Sequence, residues 1–214
     1  MLLRVGGDAL SEHESLLELL SDRLDPVESA DETPRRGDGD LNGAPTPSGR
    51  ALRPAAVLAP LILHDGPPRL LFTERAAHLN QHAGQISFPG GRLDGDHETS
   101  AQAALREVEE EIGIGSDHVQ LIGRFDTYET VTGFSVTPFV GVLKTGFEVK
   151  PDPAEVADVF DAPFEFLMNP DNHQRQSRVW QGKRRYYYAM PWQSRFIWGA
   201  TAGMLKSLYD RLYG

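Results

Sequence analysis

Arg106-Glu107-Val108-Glu109-Glu110-Glu111-Ile112-Gly113, downstream of the pair Gly90-Gly91, is the stretch on which fold and chemistry turn. Thr99 with Gln102 makes a capping-box start and Gly113 a natural stop, which predicts a helix over residues 100–112. Ala101, Ala104, Leu105, Val108 and Ile112 recur at helical spacing and define its core face. At about 100° per residue, Glu107 and Glu111 fall about 100° and 60° to one side of Val108, and Glu110 about 160° away. Glu107 and Glu111 are therefore the pair at the margin of the buried face, and Glu109 projects to the other side. Like charges three and four apart repel by a few tenths of a kcal/mol per pair, so the cluster favours a counter-cation. Hard oxygen ligands of this kind suit Mg²⁺ or Mn²⁺, ions that also meet substrate phosphates. Taken alone, the residues leave a solvated acidic face equally open.

The flanking order separates the two readings. Gly91, Glu98, Arg106-Glu107-Val108, Glu110-Glu111 and Gly113-Ile114 closely resemble the Nudix box, Gly-x5-Glu-x7-Arg-Glu-U-x-Glu-Glu-x-Gly-U, in which U is a bulky aliphatic residue. From Glu98 onward the match has no gap, and the loop between Gly91 and Glu98 is one residue longer than the box. The resemblance implies an α/β protein, the Nudix α/β/α sandwich with a mixed sheet and a loop-helix-loop metal site. It further implies a hydrolase of nucleoside diphosphates linked to another moiety.

A second signature precedes the box. Leu71-Phe72-Thr73-Glu74-Arg75, Gly84 and Phe88-Pro89-Gly90-Gly91 resemble the pattern of the coenzyme A pyrophosphatase branch, with Ala76 in place of its Ser and Asn80 in place of its Arg. The tract from Leu79 to Gly91, the segment Ala189-Met190-Pro191-Trp192 and the segment Ile197-Trp198-Gly199-Ala200-Thr201-Ala202 are similar in kind to that branch. What this implies is a metal-dependent pyrophosphohydrolase that cuts CoA or a derivative to 4′-phosphopantetheine and adenosine 3′,5′-bisphosphate. A Nudix hydrolase of a nucleotide sugar, ADP-ribose or a dinucleoside polyphosphate is the alternative, and a ligand-sensing module without turnover is a further one. The intact carboxylate set counts against a sensor.

By motif position, Arg106, Glu107 and Glu110 are the expected catalytic residues. Glu107, Glu110, Glu111 and the Gly91 carbonyl are the expected ligands of Mg²⁺ or Mn²⁺, and Arg75 and His82 the expected phosphate contacts. Glu98 is read first as a tie for the loop, and Glu155 as a solvated loop acid. His78, His82 and His97 pair with no Cys or His at a zinc spacing. Lys183-Arg184-Arg185, beside Tyr186-Tyr187-Tyr188, reads first as a solvated strand end.

The chain of 214 residues lies within the single-domain range. It has no apolar run near the length of a membrane span, and Met1 to Gly7 lack a signal peptide's apolar core, so a cytoplasmic protein without membrane contact is expected. The absence of cysteine excludes disulfides and thiolate chemistry. A formal net charge of −10 argues against a non-specific nucleic-acid surface and for a small CoA-like nucleotide met through metal.

Organisation is uneven. Leu10, Leu16, Leu17, Leu19, Leu20 and Leu24, with Ser11 as N-cap, predict an amphipathic helix over residues 12–23 that packs on the body or on a second subunit, which leaves a homodimer open. Residues 26–50, rich in Asp, Gly, Pro and Ser, read as a flexible linker, so residues 1–50 form a helix plus tether and 51–214 the Nudix domain. Residues 55–63 read as a buried strand in which Pro60 implies an edge or bulge. Strands are also expected over residues 69–73, 119–125, 136–143 and 186–190, then a last helix capped by Thr201 with Met204, Leu205, Leu208 and Leu212 as its stripe.

Overall fold

The strand around Val57 and Leu58 is apolar on both faces, the mark of a strand covered on both sides. Ala56 and Leu58 point into one core, while Ala55, Ala59 and Leu61 point into another. The computed structural model describes residues 6–44, 46–64, 66–79, 83–95, 97–180 and 182–214, with side chains from residue 12 onward. In chain order the elements are α1 (Gly6–Arg23), β1 (Arg36–Gly37), β2 (Arg53–Ile62), β3 (Arg69–Arg75), β4 (Ile86–Ser87), β5 (Gly90–Arg92), α2 (Ser100–Ile112) and β6 (Val119–Arg124). They continue as β7 (Tyr128–Glu129), β8 (Phe134–Leu143), β9 (Val156–Pro163), α3 (Phe164–Leu167), β10 (Gln174–Trp180), β11 (Lys183–Trp192), β12 (Arg195–Trp198) and α4 (Ala200–Tyr213). Among the described residues no helix is long and apolar enough to cross a membrane.

The main sheet is mixed and runs β1-β7-β8-β2-β3-β4, with β5 beside β2, β6 beside β8 and β9 beside β3. Helix α2 covers one face through Ala103, Ala104, Val108 and Ile112, which meet Leu58, Leu71 and Phe139. The other face is covered by α1, α4 and an antiparallel sheet of β10, β11 and β12. The α/β class and mixed sheet are those expected. On the second face this small sheet lies beside α1 and α4.

Several local expectations are corrected. Pro60 is neither at an edge nor in a bulge: β2 lies between β8 and the β3 and β5 strands. The N–H of Leu58 points to Pro89 O, and Pro60, two residues on, directs its missing donor the same way, into the gap between the β5 pairing at 55–57 and the β3 pairing at 61–62. Helix α1 begins at Gly6, so Ser11 lies inside it; Leu16 and Leu20 bury its inner face, and Leu24 follows just past its end. Helix α4 has Gly199 at its N-cap, and Thr201 instead donates its hydroxyl to Ile86 O at 3.0 Å. Strands β9, β10 and β12 were not expected.

Residues 26–44 and 46–50, expected as part of a flexible linker, are bound to the body. β1 pairs in parallel with β7, joining Arg36 to Tyr128 and Gly37 to Glu129. The Asn42 amide donates to Tyr186 O at 3.0 Å and to Asp38 O at 2.8 Å, and accepts from Tyr186 N at 2.9 Å. Asp38 accepts from the buried Tyr128 hydroxyl at 3.0 Å, and Ser48 N–H donates to Glu129 at 2.8 Å. Polar side chains reaching backbone groups order the segment where apolar burial does not. Asn42→Ala, which removes three such bonds without changing charge, is expected to cost about 1–3 kcal/mol, visible as a fall of about 2–4 °C in Tm per kcal/mol. An unchanged thermal midpoint would return the segment to a tether.

Candidate active site

The carboxylate helix is held at both ends. The Thr99 hydroxyl accepts from Gln102 N and the Gln102 side chain accepts from Thr99 N, completing the capping box, and Gly113 closes the helix at φ 72°. The terminal carbonyls of Glu111 and Ile112 accept from Asp152 N at 2.9 Å and Lys150 N at 2.8 Å. This fixes the rotation of α2 and with it the exposure of each acid. Glu111 is buried at 4%, the Glu107 side chain is 16% exposed, and that of Glu110 is 59% exposed.

Arg106 organises one side of the cluster, with all five of its N–H donors occupied. Nε and Nη2 engage Glu98 at 2.8 and 3.1 Å, Nη2 also reaches Arg92 O at 2.9 Å, and Nη1 reaches Glu107 at 2.9 Å and Glu110 at 2.8 Å. The bond to Glu98, followed by those to Glu107 and Glu110, holds the guanidinium firmly protonated, and Glu98 is correspondingly held below its usual range by Arg106. Glu98 also accepts the Asp94 N–H at 2.5 Å, so it ties the loop to the helix.

On the other side lies Glu111. It accepts the Gly90 N–H at 3.3 Å and faces Arg75 Nη1 at 3.8 Å. Burial, then the neighbouring charge of Glu107, push its carboxyl up to about 8, with Arg75 and the Gly90 N–H opposing. Glu107 is raised by burial against the pull of Arg106. Glu155 raises both, so this exposed loop acid stands within electrostatic reach of the pair. Arg75 Nε is buried without a hydrogen-bond partner. His78 bonds to Ala154 O at 3.1 Å. His82 and Asn80 lie outside the described residues.

The glycine pair is required by contact. A Cβ on Gly91 would run into the Glu107 carboxylate, and one on Gly90 would come within 2.6 Å of Val57 Cα and closer still to Ala56 O. The donor set is hard oxygen, two of whose members, Glu107 and Glu111, are withdrawn from water and repel each other. Among the described residues no three His, Asp or Glu side chains form a ready cage, because Glu107 and Glu110 turn toward Arg106. Mg²⁺ commonly takes only one or two protein carboxylates and keeps its waters, so the Glu107 and Glu111 pair fits such an ion.

The description "NUDIX domain" belongs to the family model that matches residues 52–189. The chain belongs to the Nudix family. It is 36% identical over 156 residues to the uncharacterized Nudix hydrolase NudL of Pectobacterium atrosepticum, covering 73% of this chain and 81% of that protein. Identity to the NudL of Enterobacter sp. (strain 638) is 38% over 164 residues with the same coverage. Among solved structures, a C. elegans Ap4A hydrolase binary complex is similar at 23% identity and a TM-score of 0.46, over 52% of this chain and 80% of that one.

In Nudix terms, the structure brings together Arg106, Glu107, Glu110, Glu111, Gly91 and Arg75. It sets Glu110 apart from the buried pair, on the exposed side of Arg106. What sequence reading missed are backbone groups: the Arg92 carbonyl that seats Arg106 and the Asp152 and Lys150 N–H groups that close α2. Main-chain donors leave no mark in residue identity. Gly91→Ala is expected to leave Tm within a few degrees yet lower kcat by about tenfold or more, since the new methyl displaces the Glu107 carboxylate and small misplacements of reacting groups are costly. Wild-type turnover in that variant would show that Glu107 does not need its place against Gly91.

Proposed function

We propose that this Nudix hydrolase of a nucleoside diphosphate derivative is a pyrophosphohydrolase of CoA or its derivatives, dependent on Mg²⁺ or Mn²⁺. One observation carries the reading: Arg75 and Gly90, from the signature that resembles the coenzyme A branch, both touch Glu111, inside the carboxylate site. A divalent cation held by Glu107 and Glu111, with Glu110 and the Gly91 carbonyl completing the set, supplies neutralisation of the diphosphate oxygens and a lowered pKa for water. Arg106 positions Glu107 and Glu110 by donating from Nη1 to both carboxylates. Glu107 or Glu110 accepts the proton of the attacking water as its oxygen bonds to phosphorus and the P–O–P link breaks. Arg75, with its buried Nε free to donate, binds a phosphate oxygen, and His82 is assigned a second phosphate contact by motif position alone. The substitution of Asn80 for the branch arginine favours a weaker hold on CoA, and keeps ADP-ribose and dinucleoside polyphosphates as the second reading.

Steady-state kinetics on CoA, dephospho-CoA, ADP-ribose and a dinucleoside polyphosphate, each with Mg²⁺ and Mn²⁺, test the assignment. CoA is expected to give the highest kcat/KM. If ADP-ribose or the dinucleotide exceeds it, the CoA reading fails and the Nudix hydrolase remains. Glu107→Gln and Glu111→Gln should each stay folded and lose at least about a hundredfold in kcat, as when a metal ligand or base is removed.

Metal binding has its own readout. Glu111 titrates near 8 in the free protein, so at pH 7 it is mostly protonated and must ionise to ligate a cation. Calorimetric titration with Mn²⁺ in buffers of different ionisation enthalpy should therefore show net proton release near pH 7, and an apparent affinity that rises as pH approaches 8. Glu111→Gln should abolish the proton release, and binding without proton release in the wild type would remove Glu111 from the ligand set.

A further inference from the structure

The net charge of −10 conceals a local reversal. Strands β10, β11 and β12 carry six basic residues and no acidic one, in a chain with 31 Asp and Glu, and three of the six, Arg178, Lys183 and Arg185, share one face. Their register separates two faces. Tyr188, Met190, Trp192 and Ile197 point into the core, so the alternate residues point outward. On that outer face Trp180 pairs with Lys183, Arg178 with Arg185, and Tyr187 with Gln176, while Phe196 and Trp198 continue it on β12. Trp180 and Phe196 are 41% and 40% exposed.

Two details point to an anionic occupant. Arg178 and Arg185 stand directly opposite each other, an arrangement that destabilises a sheet. Among the described residues neither makes an ion pair, and Arg185 Nε is buried without a hydrogen-bond partner. The guanidinium of Arg178 lies 4.5 Å from the Trp198 ring centre, and that of Arg185 lies 5.8 Å from that of Trp180. Beside the hairpin tip, Asn42, Lys183, Arg184 and Arg185 help line a cavity of about 350 Å³. A second copy packed face to face would oppose like charges. Val179, 70% exposed, and Trp180 lie together at the tip, but basic Lys183, Arg184 and Arg185 flank them there and the rings continue along the face to Phe196 and Trp198 of β12, a distribution that a membrane-inserting tip does not need. Exposed rings interleaved with cations suit a chain of phosphates and flat bases.

We propose that the outer face of the β10, β11 and β12 sheet binds single-stranded nucleic acid. Bases stack on Trp180, Tyr187 and Trp198, and phosphates meet Arg178, Lys183 and Arg185. This surface is separate from the carboxylate site, and its test reads binding rather than hydrolysis. Fluorescence anisotropy of a labelled mixed-sequence RNA of about 12 nucleotides with the full chain should show saturable binding at low salt. For three phosphate contacts, log K should fall with log salt at a slope of about −2. Trp180→Ala should weaken binding by about tenfold, and Arg178→Gln should reduce the slope by about 0.7. Both substitutions are on the surface and should leave Tm and nucleotide hydrolysis unchanged. Inorganic polyphosphate binding as tightly as the RNA, with Trp180→Ala without effect, would overturn the proposal in favour of a plain anion face. Binding to phosphatidylserine vesicles without RNA binding, or no binding to any of the three, would equally overturn it.

Discussion

Two carboxylates withdrawn from water on one side of a helix, Glu107 and Glu111, are the constraint on which the arrangement around them depends. Removing an ionised group from water costs several kcal/mol even after relaxation, and a second like charge nearby adds to that. Glu111 therefore holds its proton up to about pH 8 in the free protein, and the two ionise together only where cations or donors meet them from several directions. Arg106 meets Glu107 from the helix side, and Arg75 and the Gly90 N–H meet Glu111 from the sheet side. The closeness of β5 to α2 follows from the same need, because the bare Cα of Gly91 is what lets the Glu107 carboxylate lie against the strand.

That constraint explains why the neighbourhood of α2 was legible in sequence. A capping box, a glycine stop and a helical stripe all concern residues a few positions apart, and local chemistry decides them without reference to the rest of the chain. The wheel angles also ordered the acids correctly, with Glu111 innermost and Glu110 outermost, though the core face turned slightly toward Ala103 and left Ala101 and Leu105 only partly buried. The placement of Arg106 was legible only in part. Its bond to Glu110 is a helical neighbour effect, but its principal partner, Glu98, lies before the helix and depends on the path of the loop.

Elements held by distant partners were not legible. Residues 26–50 have too little apolar surface to be ordered by burial, yet β1 finds the free edge of β7, and Asn42 fills a backbone gap on β11. Strand β10 reads Gln-Arg-Gln-Ser-Arg-Val-Trp, with no alternation of apolar and polar residues, and exists because β11 offers it seven paired positions. Pro60 misled for a related reason. A proline in a strand needs only that its missing donor point where no acceptor waits, and whether such a gap exists is set by where β3 and β5 begin and end.

β3 joins the two halves of this logic, since successive side chains of a strand point to opposite faces. Leu71 and Arg75 point toward α2, one into its core and the other onto Glu111; Leu70 and Phe72 point into the opposite core, and Glu74 meets Arg195 of β12. Arg195 also pairs with Asp158 of β9 and lies over the Phe160 ring, so one guanidinium ties the second sheet to both strands behind the site. A slip of one residue in β3 would turn Arg75 away from the carboxylates and place Glu74 beside Glu107, Glu110 and Glu111, a fourth acid where a cation now stands. The apolar alternation of β3 and its pairing with β9, joined by the Glu74 ion pair to Arg195, hold the register that keeps a cation rather than an acid beside Glu111.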